Sequence, residues 1–316
     1  MIVQSFAVAV LLATSSPAQD ISPSLKDDLR TLSSDRLQGR APQTIGSTRA
    51  REHIVARLRE IGVGPLYNRY DQPFVVREPK RTVRGTNLLA VIEGTDTTSD
   101  RVIVLGAHYD HWGIRKGAIY HGADDNASGV AGLLAVAEAL KANPPKHRII
   151  LAFWDGEELG YFGSKAFVAD PPVPLDRIAL NINLDMISRS DKGELYAVGG
   201  VSWPAVQPIL DDVAKAAPVT LKFGHEGPPW EGSEDWITGS DHYQFHLKGI
   251  PFVYFGVEDH PDYHQPTDTF DKVPLDFYAR SVATVEAAVR AFDAGLDTIP
   301  REHVPPPVVE DDEEEG

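Results

Sequence analysis

The stretch RIILAFWDGEELGYFGS, residues 148–164, joins an apolar run directly to two adjacent glutamates, Glu157 and Glu158. The apolar run predicts a buried β-strand, because it is short, rich in aliphatic residues and followed by a glycine. Two neighbouring carboxylates repel each other unless a cation or a proton lies between them. An isolated pair of acidic residues most often lies in a solvent-exposed turn. Whether Glu157 and Glu158 belong to a functional site therefore depends on the rest of the sequence.

Apolar runs of the same kind recur along the chain and alternate with helical patterns. Strands are predicted in NLLAVIEG, RVIVLGAHYD, RIILAFWDG, IALNINLDMI and PFVYFGV. Near-continuous apolar strands that alternate with helices are typical of a sheet that is covered on both faces. The chain is therefore predicted to be an α/β protein with a single domain, in which a central mixed, mostly parallel β-sheet is flanked by helices on both faces.

The helical patterns have recognisable ends and faces. SPSLKDDLRTLSSDRLQGR and GSTRAREHIVARLREIGV are each predicted to begin at a Ser N-cap, and Gly62 is predicted to end the second helix. PLDFYARSVATVEAAVRAFDAGL is predicted to be the last long helix. NASGVAGLLAVAEALKAN places five apolar side chains on one helical face: Val130, Leu133, Leu134, Ala137 and Leu140.

The two ends of the chain differ in composition from its body. Residues 1–18 contain an apolar core followed by small residues and are predicted to be a signal peptide, although no Lys or Arg precedes Lys26. Residues 20–300 are predicted to form the catalytic domain, and residues 301–316, Pro-rich and then acidic, to be a disordered tail. We therefore expect a secreted or periplasmic protein without a membrane-spanning segment.

Charge and cysteine content limit the function classes. With 46 acidic and 30 basic residues the formal net charge is −16, which argues against nucleic acid or an anionic membrane as a partner. The chain has no cysteine, so disulfides and thiolate zinc sites are excluded. A metal site in this protein has to be built from His, Asp and Glu.

Ligand-type side chains follow the predicted strands, where ligands bind in α/β sheets. They are His108 and Asp110, Asp124 and Asp125, Glu157 and Glu158, Asp185, and then Asp259, His260, Asp262 and His264. Several carboxylates around one cleft cost several kcal/mol per ion unless cations compensate them, and these motifs contain few basic residues. Divalent metal ions are the natural compensation.

The donor types favour two zinc ions. A mixed imidazole and carboxylate site without thiolates suits zinc, with manganese or cobalt as alternatives. Two histidines and three or more acids exceed what one four-coordinate zinc with an open position needs, and they suit two metals that share a carboxylate. Of the adjacent glutamates, one can then bind metal while the other faces the metal-activated water as a general base.

The combination of motifs resembles the co-catalytic dizinc aminopeptidases, a metallopeptidase family that also includes glutamate carboxypeptidase. The matching segments span roughly residues 40–290 and occur in the family order: GAHYDHWG, HGADDNASGVAGLLAVAEAL, LAFWDGEELGYFGS, NLDMI, GSDHYQFHLKGIPFVYF and HPDYHQPTDTFDKV. The resemblance implies a metallopeptidase that takes peptides with a free N-terminus.

The resemblance also implies roles for individual residues. His108 and Asp185 would hold one zinc, Glu158 and His264 the other, and Asp125 would bridge them. Glu157 matches the general base, Asp110 the acid that orients His108, Tyr263 a donor to the developing oxyanion, and Asp241 a supporting residue. The remaining histidines are not assigned as ligands: His111, His121 and His225 are predicted at loops or the rim, and His242, His246 and His260 around the pocket.

Three alternatives remain open at the level of sequence. A glutaminyl cyclase has the same fold and related acidic ligands but binds a single zinc. A carboxypeptidase of the same family needs basic residues for the terminal carboxylate, and the sequence does not place any in the pocket. A non-catalytic binding protein is disfavoured because every ligand position is filled. The loop FGHEGPPWEGSEDWITGS, residues 223–240, is expected to wall the pocket.

Overall fold

A computed structural model of the chain describes residues 21–227 and 235–300. The expected signal peptide, the acidic tail and residues 228–234 of the expected pocket loop lie outside these ranges. The helices described are α1 (Pro23–Leu32), α2 (Ile45–Ile61), α3 (Gly129–Ala142), α4 (Phe162–Ala169), α5 (Gln207–Ala216), α6 (His242–His246) and α7 (Leu275–Gly295). Among these helices, none has the length and apolar character needed to cross a membrane.

The strands form one large mixed sheet and one small hairpin. Their bounds are β1 (Gly64–Pro65), β2 (Asp71–Glu78), β3 (Arg81–Ile92), β4 (Val102–His108), β5 (Gly113–Arg115), β6 (Ala118–Tyr120), β7 (Arg148–Trp154), β8 (Ile178–Leu184), β9 (Glu194–Val198), β10 (Thr220–Lys222) and β11 (Phe252–Gly256). The sheet order is β1-β3-β7-β4-β8-β11-β9-β10, β2 also pairs with β3, and β5 pairs with β6. The four central strands, β7, β4, β8 and β11, are parallel, while antiparallel pairing occurs through β3 and β9.

Alternate residues of the central strands pack against opposite layers of helices. In β4, Ile103 and Leu105 join the core that includes α1, α2, α3 and α7. Val102 and Val104 face the other way, into the core that contains Phe167 of α4 and Phe245 of α6. Because the side chains of a strand alternate between its two faces, these contacts show that helices cover both faces of the sheet. The predicted architecture, a mostly parallel centre with helices on both faces, is confirmed.

Two of the three predicted helix ends agree with the structure, and so does the predicted face of α3. Ser22 caps α1, accepting from the Leu25 N–H, and Gly62 ends α2 with a φ of 81°. The prediction of a Ser cap for α2 was wrong: the cap is Thr44, whose hydroxyl accepts the N–H of Ser47. The predicted apolar face of α3 is buried.

The fold brings the ends of the parallel strands to a single edge. β4 ends at His108, β7 at Trp154, β8 at Leu184 and β11 at Gly256. Because these strands run in the same direction, the segments that follow them share one edge of the sheet. The turn at residues 123–128 lies just before α3, and its backbone is non-helical at Asp125.

Leu105→Ala tests the core around the central strand. Leu105 is fully buried, so its truncation should lower the free energy of unfolding by about 2–5 kcal/mol in urea denaturation. Leu247→Ala is the matched control, because Leu247 is 51% exposed and should change stability by less than about 0.5 kcal/mol. Equal effects of the two substitutions would contradict this description of the core.

Candidate metal centre

His108 is the centre of a first cluster of acidic side chains. Its Nε2 atom lies 3.1 Å from Asp185 Oδ1, 3.4 Å from Asp125 Oδ1 and 3.9 Å from Glu157 Oε2. His108 and these three acidic residues are all buried. The residues come from the ends of three parallel strands and from the turn before α3, so the sheet edge itself assembles the cluster.

A second cluster lies beside the first and shares Asp125 with it. His264 Nε2 is 3.1 Å from Asp125 Oδ2 and 3.5 Å from Glu158 Oε2. Glu158 follows Glu157 in a short 3₁₀ turn after β7, and the turn directs the two glutamates to different clusters. The five predicted metal ligands are thus gathered at one place in the protein.

The donor sets fit zinc in both kind and spacing. A tetrahedral zinc with bonds of about 2.0–2.1 Å holds its donor atoms roughly 3.3 Å apart. The distances from His108 to Asp185 and Asp125, and from His264 to Asp125 and Glu158, run from 3.1 to 3.5 Å. When Glu157, the most distant acid at 3.9 Å from His108, is left out, each cluster supplies one imidazole and two carboxylates, and the two oxygens of Asp125 are divided between them.

Burial of several carboxylates together perturbs their protonation. Burial raises the pKa of Glu157 well above its ordinary value; the charge of His108 opposes the rise, and the charge of Asp185 adds to it. The pKa of His264 is raised to about 10, since its hydrogen bonds with Asp125 and Glu158 outweigh the opposing effect of burial. The site therefore favours bound positive charge, either as protons or as metal ions.

The carboxylate of Asp110 lies closer to Glu157 than to His108. Its Oδ1 accepts the backbone N–H of Glu157 at 3.1 Å. His108 Nδ1 is 3.2 Å from the Asp110 backbone carbonyl and 3.7 Å from the Asp110 carboxylate. In this geometry the carbonyl is the nearest acceptor for the ring, and the carboxylate fixes the turn that carries Glu157.

The two other predicted site residues lie next to the clusters. Tyr263 stacks on His264 with ring centroids 3.9 Å apart and lines the cavity above the clusters. Asp241, at the start of α6, is fully buried, and burial raises its pKa to about 7 against the opposing charge of His108. Within the part of the chain that the structure describes, no hydrogen bond or ion pair joins Asp241 to either donor set, so its influence on the first cluster is electrostatic.

His111 lies in the loop between β4 and β5, as predicted, but it is not at an exposed rim. His111 is buried, with Nδ1 2.6 Å from Glu158 Oε1. The indole N–H of Trp112 donates to the other oxygen, Glu158 Oε2, also at 2.6 Å. Their position in the sequence could have indicated a place near the site, because both residues directly follow the His108–Asp110 motif.

The turn that carries Asp125 is supported from behind by other acidic side chains. Asp268 accepts the backbone N–H groups of Asp124 and Asp125, and the Asp124 carboxylate accepts the N–H of Ser188 at 2.8 Å. His260 lies 3.2 Å from Asp124 Oδ2, on this supporting side. The cavity lining does not include His242, His246 or His260, which were expected around the pocket.

Arg40 is a buried cation underneath the same turn, and sequence reasoning did not identify it. It is 1% exposed, and its guanidinium donates to five backbone carbonyls, those of Leu32, Tyr109, His121, Gly122 and Asp125. Burial lowers the pKa of Arg40 to about 10, against the opposing charges of nearby carboxylates such as Asp125. Arg40 therefore ties the segment after β4 to the turn before α3 and partly balances the negative charge of the site.

A cavity of about 280 Å³ opens above the two clusters. Its lining consists of Asp125, Glu157, Glu158, Gly160, Tyr161, Asp185, Met186, Gly239, Tyr263 and His264. Four of these side chains are carboxylates, and none of the described lining residues is Lys or Arg. Gly239 belongs to the loop that was expected to wall the pocket.

Residues 87–289 match the sequence profile of the family described as Peptidase family M28. A probable glutamate carboxypeptidase from Zea mays is 31% identical over 249 residues, which cover 72% of this chain and 32% of the relative. The matches to the curated relatives span between 24% and 45% of those proteins' lengths.

Solved structures share the fold at low sequence identity. A leucine aminopeptidase precursor from Bacteroides thetaiotaomicron superposes with a TM-score of 0.69 at 19% identity, covering 86% of this chain and 98% of that one. Porphyromonas gingivalis glutaminyl cyclase superposes with a TM-score of 0.68, also at 19% identity, covering 86% and 99%.

Arg40→Met tests the support beneath the metal-binding turn. The substitution should lower the free energy of unfolding by about 3 kcal/mol or more, because each buried carbonyl that loses its donor costs about 1–3 kcal/mol. Arg36→Met is the control, since the Arg36 side chain is exposed. Chemical denaturation of both metal-free variants measures the difference, and an Arg40 variant as stable as the control would contradict the support role.

Proposed function

The chain belongs to peptidase family M28, and on that premise we propose that it is a zinc-dependent aminopeptidase with two metal ions. The substrate is a peptide with a free N-terminus, and the reaction is hydrolysis of its first peptide bond. Residues 1–18 have the composition of a signal peptide, which supports a secreted or periplasmic location.

The position of Asp125 is the observation that carries the proposal. One of its oxygens is 3.4 Å from His108 and the other is 3.1 Å from His264. A carboxylate placed in this way can bridge two ions, with His108 and Asp185 completing one position and Glu158 and His264 the other. Zinc bound there would act as a Lewis acid and lower the pKa of a bound water towards about 7.

Glu157 is the residue best placed to accept a proton from the attacking water. Its carboxylate lies beside the first cluster, lines the cavity and is assigned to neither set of ligands. It would take a proton from the attacking water and return it to the departing amine. The Asp110 carboxylate holds the Glu157 backbone and thereby fixes where this carboxylate can reach.

Tyr263 is assigned to the oxyanion that forms on the scissile carbonyl. Its ring is held against His264 at the cavity wall, so its hydroxyl group can donate to an oxygen that gains charge in the transition state. Asp241 is assigned a supporting role through its charge near His108.

The cavity lining favours an aminopeptidase over a carboxypeptidase. Four carboxylates line the described part of the cavity without a Lys or Arg, which suits an ammonium group and disfavours a terminal carboxylate. The second donor cluster favours two metals over the single zinc of a glutaminyl cyclase. The complete set of ligands disfavours a binding protein without catalytic activity.

Hydrolysis of a panel of aminoacyl amides tests the proposed reaction. The zinc-loaded protein should cleave amides with a free α-amine and leave their N-acetylated counterparts intact. Removal of metal by a chelator should abolish cleavage, and added zinc should restore it. Preferential cleavage of the N-blocked substrates, or of substrates with a free C-terminal carboxylate, would overturn the aminopeptidase assignment.

Glu157→Gln tests the general base. The substitution keeps the size of the side chain and removes its basicity, so kcat should fall by a factor of about 10² to 10⁴ while bound zinc is unchanged. Glu138→Gln is the matched control, because the Glu138 side chain is 53% exposed on α3. Full activity in the Glu157 variant would end its assignment as the base.

A further inference from the structure

Both oxygens of Glu158 are held by side chains that follow β4. His111 Nδ1 lies 2.6 Å from Oε1, and the Trp112 indole nitrogen lies 2.6 Å from Oε2. An indole nitrogen can only donate, so Trp112 cannot act as a metal ligand. All of these groups are buried or half-buried, which makes the hydrogen bonds to the charged carboxylate stronger than they would be in water.

His111 also has the geometry of a donor and not of a ligand. Two ligands of one tetrahedral zinc are separated by roughly 3.3 Å, well beyond the 2.6 Å between His111 Nδ1 and Glu158 Oε1. The distance from His111 Nδ1 to Asp125 Oδ2 is 3.7 Å, longer than the corresponding 3.1 Å for His264. His111 therefore holds Glu158, while His264 points between Glu158 and Asp125.

The surroundings of the two rings restrict their movement. The His111 ring packs against Gly122, where a Cβ atom would come within 2.6 Å of the ring. The Trp112 ring contacts both the guanidinium of Arg115, 3.8 Å from the ring centroid, and the imidazole of His264, with ring centroids 4.4 Å apart. Trp112 thus contacts two donors of the second cluster, Glu158 through a hydrogen bond and His264 through its ring face.

We propose that His111 and Trp112 form a clamp that positions Glu158 and so determines the affinity of the second metal position, selectively over the first. This inference rests on the proposed function, because it requires two metal positions. The clamp residues hydrogen-bond to Glu158 and pack on His264, whereas their nearest approach to the shared Asp125 is the 3.7 Å between His111 Nδ1 and Asp125 Oδ2. In the first cluster, by contrast, His108 is held by the carbonyl of Asp110, and the Asp185 carbonyl accepts from Tyr254.

The physical effect of the clamp is to fix the carboxylate before metal binds. With a donor on each oxygen, the carboxylate plane cannot rotate freely, and Oε2 stays 3.5 Å from His264 Nε2. Loss of a hydrogen-bond partner of a metal ligand costs about 10–100-fold in metal affinity. Here that loss should be confined to one of the two metals.

The test is a zinc titration of the metal-free full-length protein, in competition with a chelator of known affinity. The wild type should bind two ions. His111→Leu and Trp112→Phe should each lower the affinity for one of the two ions by about 10–100-fold. The affinity for the other ion should stay within about twofold of the wild-type value. His111→Asn should retain most of the affinity, because its amide nitrogen can take the place of Nδ1 as a donor.

Trp203→Phe is the matched control for the tryptophan variant. Among the described residues, the Trp203 indole nitrogen has no hydrogen-bond partner, and its ring packs against a small hydrophobic core that includes Tyr196 and Phe252. This variant should bind both zinc ions like the wild type. Circular dichroism verifies that each variant is folded, and if Trp112→Phe does not fold, the comparison of His111→Leu with His111→Asn decides.

The outcomes separate the clamp from the proposed function. If the wild type binds two ions and the variants bind them equally well, the clamp alone is overturned. The same holds if the variants lose affinity for both ions to the same extent. Equal losses in His111→Leu and His111→Asn overturn hydrogen-bond donation as its basis. A wild type that binds one ion overturns both proposals, whereas selective loss in a protein that cleaves no peptide supports the clamp and contradicts the aminopeptidase assignment.

Discussion

The sharing of Asp125 between two histidines is the constraint on which the rest of the site depends. Its two oxygens face His108 and His264, so any shift of this carboxylate changes both clusters at once. The turn that carries Asp125 is accordingly held from several sides: Asp268 accepts the N–H groups of Asp124 and Asp125, and Arg40 donates to the carbonyls of Asp125 and of the preceding Gly122. Negative charge at the front of the turn is thus offset by a buried guanidinium behind it.

The parallel centre of the sheet explains how ligands far apart in sequence meet. The segments after β4, β7, β8 and β11 leave the sheet on the same edge, and each carries donors into the space above it. Pairs of neighbouring residues are used differently at these ends. Glu157 and Glu158 diverge into separate clusters, while Asp124 supports the turn on which Asp125 faces the cavity.

Much of the fold and of the donor set could be predicted from sequence because both leave local patterns. Apolar runs identified the strands, and the acids and histidines that follow them proved to be neighbours in space. The roles of Arg40, His111 and Trp112 could not be predicted in the same way. Arg40 acts through backbone carbonyls, which have no sequence signature, and His111 differs from a rim histidine only by the side chains that surround it.

The sequence by itself determined the α/β class, the absence of thiolate chemistry and which acids and imidazoles were available at the strand ends. These properties follow from composition and periodicity, which are local. Only the tertiary structure decided which oxygen of Asp125 faces which histidine, that the Asp110 carboxylate holds Glu157, and that both oxygens of Glu158 accept hydrogen bonds. Such choices depend on distances of a few tenths of an ångström between side chains from separate segments, and packing sets those distances.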